Sequence, residues 1–413
     1  LMDEAVAPAQ SAEVAVVYAG RPGIFDSEGF DREHLELPDQ HTALIKAVAG
    51  ANPNTIVVLA NGAPVTMPWI NQVSGVLEGY LGGQASGGGL ADILMGTENP
   101  GGKLAETFPM ALSDVPSTAW FPGEHRQMQY REGVYIGYRY FDTARRDVLF
   151  PFGHGLSYTE FHYLDVRADN SSLTADRPVT LSVQVKNSGA RAGAEVVQVY
   201  RHSVGSATHQ PEQQLCGFTK ITLQAGETRT ATIALDAESF RVFDHGAQQW
   251  VLEAGSVQLR IGSSSRDIRL TQAINVVSKQ TLSDLAMTTV APEFPPVDSR
   301  RPLTVSDELF SRMLNRPPPT GEDIRPFHRN SSLAEIGTTW IGGKIQDRAL
   351  AQFLGSMGLE NADPTTRKMF EEMANHRPWR AIALFQQGKI SDHQIDGLLA
   401  LLNGHPLKAL GYL

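Results

Sequence analysis

The N-terminal part of the chain alternates short apolar runs with stretches of helical spacing. Residues 14–20 and 55–62 are continuous apolar runs that end near glycine, and residues 73–83 contain a third. Such runs are typical of strands buried in a parallel sheet. Residues 42–52 and 85–96 lie between or after these runs and have the spacing of helices. The alternation predicts a parallel sheet covered by helices on both faces.

Residues 162–275 have a different pattern, in which apolar and polar positions alternate with a period of two. Turn residues such as Asn187 and Gly189 separate the alternating segments. Several short strands at this spacing predict an all-β sandwich of the fibronectin or immunoglobulin type. The chain has 1 cysteine, Cys216. The disulfide of immunoglobulin domains is therefore excluded, and a single thiol fits a reducing compartment.

The remaining sequence predicts a connection followed by helices. Residues 276–305 contain the segment EFPPVDSRRP, which is typical of a linker. Residues 306–413 are rich in Leu, Met and Ala at helical spacing. The candidate N-caps are Thr365 and Ser391, and the candidate helix ends are Gly388 and Gly404.

Charge and composition limit the classes of binding partner that we expect. The net charge is −10, and a negative chain is repelled by nucleic acid and by anionic membranes. No apolar run approaches the ~20 residues that a membrane helix needs. Neutral substrates such as sugars fit this balance. The opening residues are acidic and lack the apolar segment of a signal peptide. The chain reads as a piece of a longer protein, so the compartment, cytoplasmic or periplasmic, stays open.

Four stretches of the sequence resemble glycoside hydrolase family 3, which contains β-glucosidases. Three of them lie in the predicted α/β part, at residues 27–48, 75–109 and 130–161. The fourth, residues 179–270, is similar to the fibronectin-like module of the family. The stretches occur in the order that the family has. The resemblance therefore covers the predicted α/β and β-sandwich regions, and the helical tail is similar to an extension seen in some members.

The resemblance implies a multidomain fold of α/β plus all-β type. We expect an α/β sandwich with a mostly parallel sheet, a fibronectin type III-like β-sandwich and a small helical C-terminal domain. The predicted boundaries are residues 1–161, 162–275, a linker at 276–305, and 306–413.

The resemblance also implies an activity, that of a retaining glycoside hydrolase that releases terminal β-linked glucose or a related sugar without a cofactor. The substrate would be a β-linked oligosaccharide or an aryl glycoside. Family members place an N-terminal (β/α)8 barrel before this region, and the barrel supplies the aspartate nucleophile. No such barrel is recognisable in this sequence, so we expect the chain to be the acid/base-bearing half and to be inactive alone.

Glu28 is the residue that we expect to be the general acid/base. Retaining glycosidases use two carboxyl groups about 5–5.5 Å apart, one as nucleophile and one as acid/base. In the family the acid/base comes from a loop of the α/β domain, and Glu28 lies in such a loop, after the first strand. Open parallel sheets present functional groups at this end. Two other interpretations stay open. In the first, Glu28 is not catalytic and is either a solvated carboxylate or a partner of Arg32. In the second, the shorter Asp26 is the acid/base.

Neighbours of Glu28 have predicted roles as well. Asp31 and Arg32 are expected to pair and to hold the loop. Phe25 and Phe30 are candidate walls of the aglycone site, although packing in the core is an equal alternative.

Three other features suggest chemistry, and each has a simpler explanation. The glycine-rich segment 82–89 lacks the residues of a phosphate-binding loop, so close packing between helix and strand is the simpler account. His154 lacks a GxSxG motif nearby and is predicted to be structural. The histidines form no spaced cluster, so no metal site is expected.

Two functions compete with the hydrolase half-enzyme. The chain could be a non-catalytic carbohydrate-binding or assembly module, which includes a homo-oligomer. It could also be one chain of a two-chain enzyme whose barrel is a separate polypeptide.

Overall fold

A computed structural model describes residues 2–123, 127–288, 290–294, 301, 303–318, 320–321, 323–381 and 391–412. Within these ranges lie a small parallel sheet with helices, a β-sandwich and a set of C-terminal helices. The mixture of α/β, all-β and helical regions confirms the predicted fold class.

The N-terminal region contains a parallel sheet of three strands in the order β1-β2-β3. The strands are β1 (Ala15–Gly20), β2 (Thr55–Ala60) and β3 (Gly75–Glu78). The helices are α1 (Met2–Ser11), α2 (Asp39–Ala51), α3 (Ser86–Leu94) and α4 (Tyr138–Thr143), with short 3₁₀ turns at Ile70–Gln72 and Leu112–Asp114. A small antiparallel pair joins β4 (Phe108–Pro109) to β5 (Val148–Phe150).

Burial explains the central position of β2. Val57 and Leu59 are fully buried, and they pack with Ile45 of α2 and with Trp69. The edge strand β1 differs from the prediction of burial on both faces. Its alternate residues Val16 and Tyr18 are 42% and 63% exposed, because no described element covers that face of the strand. The prediction that helices cover both faces of the sheet is therefore wrong at β1.

The β-sandwich consists of two antiparallel layers with one parallel pair at an edge. One sheet has the order β10-β9-β14-β15-β7, and the other has the order β11-β8-β6. Their strands are β6 (Phe161–Ala168), β7 (Ser172–Leu173), β8 (Val179–Asn187), β9 (Gly193–Val204), β10 (Gln214–Leu223), β11 (Thr228–Leu235), β14 (Gly255–Ser264) and β15 (Asp267–Val276). A separate hairpin is formed by β12 (Arg241–Asp244) and β13 (Gln249–Leu252), and a 3₁₀ turn at Glu238–Phe240 precedes it.

The period of two in the sequence places alternate residues in the sandwich core. On β8, Leu181 and Val183 are fully buried, and they lie in one apolar cluster with Val199 of β9 and Leu259 of β14. Cys216 is buried in the same cluster as a free thiol. This core holds the two sheets together through the hydrophobic effect.

The C-terminal region is helical, as predicted. Its helices are α5 (Asp284–Thr288), α6 (Asp307–Leu314), α7 (Leu333–Gly337), α8 (Trp340–Ser356), α9 (Pro364–Asn375), α10 (Asp392–Leu402) and α11 (Pro406–Leu410). Ser391 caps α10 with a capping box, as expected. The predicted cap Thr365 is wrong, because Asp363 caps α9 and accepts from the amides of Thr365 and Thr366. Gly404 follows α10 with φ +81°, and Gly388 lies outside the described residues.

The end of segment 276–305 packs against the rest of the molecule, although residues such as Val277 and Met287 are exposed. Leu303 and Val305 are buried in a cluster with Tyr140 and Phe310. Arg131 donates from Nη1 to the carbonyl oxygen of Val305 at 2.6 Å. These contacts tie the start of the helical region to the α/β region, and the domain boundaries given above stay predictions.

Candidate functional site

The candidate site is the loop that leaves the C-terminal end of β1 and leads to α2. Arg21 follows β1 directly and is buried. Its guanidinium donates to the carbonyl oxygen of Phe25 at 3.0 Å and to that of Glu36. One side chain therefore joins the outgoing and returning limbs of the loop, so the segment between them has a fixed base.

Glu28 lies on the outer part of this loop and is exposed. Gly29 follows it with φ +92°, a backbone conformation that residues other than glycine rarely adopt. Within the ranges that the structure describes, the carboxylate of Glu28 has no hydrogen-bond or ion-pair partner. A free carboxylate on a structured loop is available to a ligand.

Asp26, the rival candidate, has a structural contact on both oxygens. Its carboxylate accepts from Nε of Arg32 at 3.1 Å, from Nη2 of the same guanidinium and from the amide of Gly62 at 3.3 Å. Arg32 also donates to the carbonyl oxygen of Pro64 at 3.2 Å. The Asp26–Arg32 pair therefore fastens the loop to the segment that follows β2.

This arrangement corrects the predicted pairing of Arg32 with Asp31. Asp31 is exposed, and the guanidinium of Arg32 binds Asp26 instead. Sequence proximity suggested the neighbour, but the loop folds back and brings Asp26 to the inner side, where Arg32 is directed. The alternative that Arg32 pairs with Glu28 is not seen among the described contacts.

The two phenylalanines lie at opposite ends of the Glu28 segment. Phe25 is 39% exposed, and its ring centroid is 5.9 Å from that of His34. Phe30 is partly buried, and the ammonium of Lys368 lies 4.1 Å from its ring centroid. Contact of either ring with substrate stays a prediction.

A pair of partly buried glutamates lies near the same edge of the sheet and was missed by the sequence analysis. Glu78 ends β3, accepts from the amide of Tyr80 at 2.9 Å, and accepts from Nδ2 of Asn61 at 3.3 Å. The hydroxyl of Tyr80 donates to Glu106 at 3.2 Å. The only signal in the sequence was a glutamate directly after an apolar run.

Burial controls the protonation of this pair. It raises the pKa of Glu78 to about 7, against which the hydrogen bonds from Tyr80 and Asn61 act. Burial also raises the pKa of Glu106, while the hydrogen bond from Tyr80 and the positive charge of Arg32 lower it. Glu106 is thus coupled by charge to the arginine that fastens the Glu28 loop.

Two other features discussed from the sequence are His154 and the glycine-rich segment 82–89. The ring of His154 stacks on Phe150 at a centroid distance of 5.1 Å, and burial lowers its pKa. This contact fits the structural role predicted for His154. The close-packing explanation of segment 82–89 is wrong for Gly87 to Gly89, because the space beside their α-carbons is open.

No group of three or more His, Cys, Asp or Glu side chains is placed to bind a metal within the described ranges. Over the same ranges, no helix has the length and apolar character needed to cross a membrane.

Comparison with known proteins identifies the family. Residues 1–158 match the glycosyl hydrolase family 3 C-terminal domain, and residues 195–265 match the fibronectin type III-like domain. The thermostable β-glucosidase B of Acetivibrio thermocellus is 49% identical over 278 residues, which are 67% of this chain and 37% of that protein. An exo-α-(1→6)-L-arabinopyranosidase of Bifidobacterium longum is 41% identical over 66% of this chain and 36% of its own length.

Solved structures agree with this result. The crystal structure of DesR, a β-glucosidase from Streptomyces venezuelae in complex with D-glucose, has a TM-score of 0.63 and 41% identity. The match covers 67% of this chain and 35% of that one. The chain thus spans a little over a third of the curated relatives above. Residues 1–158 are a glycosyl hydrolase family 3 C-terminal domain, and the chain belongs to glycoside hydrolase family 3.

Proposed function

We propose that this chain is the acid/base-bearing part of a retaining glycoside hydrolase, and that Glu28 is the general acid/base. The observation that carries the proposal is the contrast between two carboxylates on one loop. Glu28 is exposed and has no partner among the described residues, whereas Asp26 accepts three hydrogen bonds. A group that must donate and accept a proton cannot be engaged in this way, so Glu28 suits the task better.

In the proposed reaction, the nucleophile comes from an N-terminal (β/α)8 barrel that belongs to the same enzyme. As the nucleophile attacks the anomeric carbon, Glu28 gives its proton to the glycosidic oxygen, and the aglycone leaves. Glu28, now a carboxylate, then takes a proton from water, which attacks the same carbon and releases the sugar with retained configuration. Glu28 ends the cycle protonated, so the proton balance closes.

The substrate that we propose is a short β-linked oligosaccharide or an aryl glycoside with a terminal glucose or related sugar. The name of the β-glucosidase relative supports this class. The exo-α-(1→6)-L-arabinopyranosidase shares the release of a terminal sugar but is named for a different sugar and linkage. The exposed apolar face of β1 supports a larger parent protein, because large contiguous apolar patches are rarely left exposed. Val16 and Tyr18 on that face are both exposed.

The test compares Glu28→Gln with Asp26→Asn in the complete enzyme, that is, this chain joined to the barrel. For Glu28→Gln, we expect kcat/KM to fall about 10²–10⁴-fold on a substrate with a poor leaving group, because general acid catalysis contributes about this much. The first step with an activated phenol should survive, since that group leaves without a proton. Asp26→Asn should change kcat/KM by the same factor on both kinds of substrate. A selective loss in Asp26→Asn instead would reverse the two roles.

A carbohydrate-binding role is the second candidate, and one surface favours it. Trp250 on β13 is 60% exposed, and its ring centroid is 5.5 Å from that of Phe243 on β12. Exposed aromatic rings are suited to stacking on sugars. If this hairpin binds carbohydrate, Trp250→Ala should weaken retention of the chain on a β-glucan column, whereas Phe218→Ala, an equally exposed aromatic on β10, should not.

A further inference from the structure

Helix α9 lies against the Glu28 loop, although more than 300 residues of sequence separate them. The helix residues that touch the loop are Thr365, Lys368, Met369 and Met373. Their spacing of three and four residues places them on one side of the helix. The contact is therefore made by a continuous helix face.

The helix touches the loop on both sides of Glu28. Before Glu28, Nζ of Lys368 donates to the carbonyl oxygen of Ile24 at 3.4 Å. After Glu28, the same Nζ lies 4.1 Å from the ring centroid of Phe30. One ammonium thus bridges the two limbs of the segment that carries the proposed acid/base.

Two glycines allow the helix to approach this closely. A β-carbon on Gly23 would lie 2.6 Å from Cγ2 of Thr365. A β-carbon on Gly29 would lie 2.9 Å from both the carbonyl oxygen of Met369 and Cγ of Met373. These distances are shorter than the contacts that β-carbons make, so a larger residue at either position would force the loop or the helix to shift. The constraint is stronger at Gly29, where the close atoms include a backbone oxygen and φ is positive.

The opposite part of α9 is fixed within the helical region. Ala374 is buried, and the ring of Phe370 lies 6.3 Å from that of Phe353 on α8. The helix therefore offers a supported surface. The loop has no helix or strand of its own between β1 and α2, and an irregular segment needs such support to hold a side chain in one place.

We propose that α9 is a positioning element of the acid/base loop and that Lys368 is its central positioning residue. Lys368 holds the Ile24 and Phe30 limbs together, and this fixes where Glu28 points. The proposal rests on the proposed role of Glu28 for its effect on catalysis, but the contact itself can be tested without any activity.

The first experiment measures hydrogen exchange of the whole 413-residue chain. Lys368→Met keeps the apolar stem and removes the charge, and we expect amides of the Glu28 loop to exchange several-fold faster. Lys368→Arg should restore slow exchange, because it remains a cation and a donor. Lys344→Met is the matched control, since Lys344 lies 3.9 Å over the ring of Trp340, away from the loop. Unchanged exchange of β8 in the sandwich, which neither lysine contacts, shows that the variants fold.

The second experiment measures turnover in the complete enzyme. With Lys368→Met, we expect kcat/KM on a substrate with a poor leaving group to fall about 10-fold, because small misplacements of a catalytic group are costly. Activated substrates should be unaffected in the first step, and Lys368→Arg should recover most of the loss. A merely structural role would lower kcat/KM equally on both kinds of substrate.

Three results would overturn the proposal. The first is that amides of the loop exchange at the same rate in Lys368→Met as in the wild type. The second is that they exchange faster but kcat/KM falls equally on both kinds of substrate. The third is that Lys368→Met raises turnover, which would mean that α9 covers the site. Only the first of these is independent of the identity of the acid/base, whereas the two turnover results test the positioning role given that Glu28 is the acid/base. If Glu28→Gln itself shows no leaving-group dependence, the proposed function fails while the exchange result still decides the contact.

Discussion

Replacement of Glu78 by glutamine should make the α/β region more stable at neutral and alkaline pH. Glu78 is partly buried at the end of β3, and burial raises its pKa to about 7 from an ordinary value of 4.5. Glutamine has nearly the shape of the protonated acid and keeps an oxygen for the amide of Tyr80, which donates at 2.9 Å. The substitution removes the ionisation and also the hydrogen bond that Nδ2 of Asn61 donates to the second carboxylate oxygen at 3.3 Å. The loss of this hydrogen bond offsets part of the gain at every pH, so the ionisation shows in how the difference changes with pH.

The magnitude follows from proton linkage. Well below pH 4.5 the carboxyl group is protonated in both states and does not affect the free energy of unfolding. As pH rises from there to about 7, the unfolded chain releases the proton first, so the wild-type protein loses stability. A shift of this size corresponds to about 3 kcal/mol when complete, of which about 2.5 kcal/mol falls between pH 5 and pH 8.

Hydrogen exchange of amides in β2 and β3 measures this free energy locally, which avoids the assumption that a multidomain chain unfolds in one step. Wild type and Glu78→Gln are compared at each pH, so the intrinsic pH dependence of exchange cancels. The stability advantage of the variant should grow from pH 5 to pH 8. Glu13→Gln, at an exposed glutamate of the same region, controls for the loss of one charge. An advantage that stays constant with pH would refute the reasoning.

Three further outcomes are expected. The isolated chain should hydrolyse an aryl β-glucoside only at the background rate, because loss of a nucleophile usually costs about 10⁶-fold, and robust turnover by the purified chain would contradict this. In the same hydrogen-exchange assay, Asp26→Asn should destabilise the loop by about 1–3 kcal/mol, because it leaves the mostly buried guanidinium of Arg32 without its anion. Asp31→Asn is the control and should have little effect. Leu259→Ala should cost about 2–5 kcal/mol in denaturant unfolding of the sandwich, since that side chain is fully buried.

The regular elements were largely predictable because periodicity reports burial. The alternating pattern of 162–275 corresponds to a sandwich whose β8 places Leu181 and Val183 inward. The apolar run 55–62 corresponds to the buried strand β2. Helix α1 was missed because its sequence is acidic and contains Pro8, so it has no apolar run to detect.

The contacts around the candidate site were less predictable because they join distant parts of the chain. The sequence pointed to Glu28 only through its resemblance to the family. It paired Arg32 with the adjacent Asp31, whereas folding of the loop brings Asp26 to the guanidinium. Nothing in the local pattern indicated that Lys368 would lie over Phe30, since that contact depends on how the helical region packs on the loop.

Azide rescue of Glu28→Gln in the complete enzyme tests the central claim most directly. This variant should accumulate the glycosyl-enzyme with an activated aryl β-glucoside, because no carboxylate remains to activate water. Azide needs no base, so it should restore turnover and give a β-glycosyl azide. Asp26→Asn should show no rescue. Rescue of Asp26→Asn in place of Glu28→Gln, or of neither variant, would contradict the assignment of Glu28 as the acid/base.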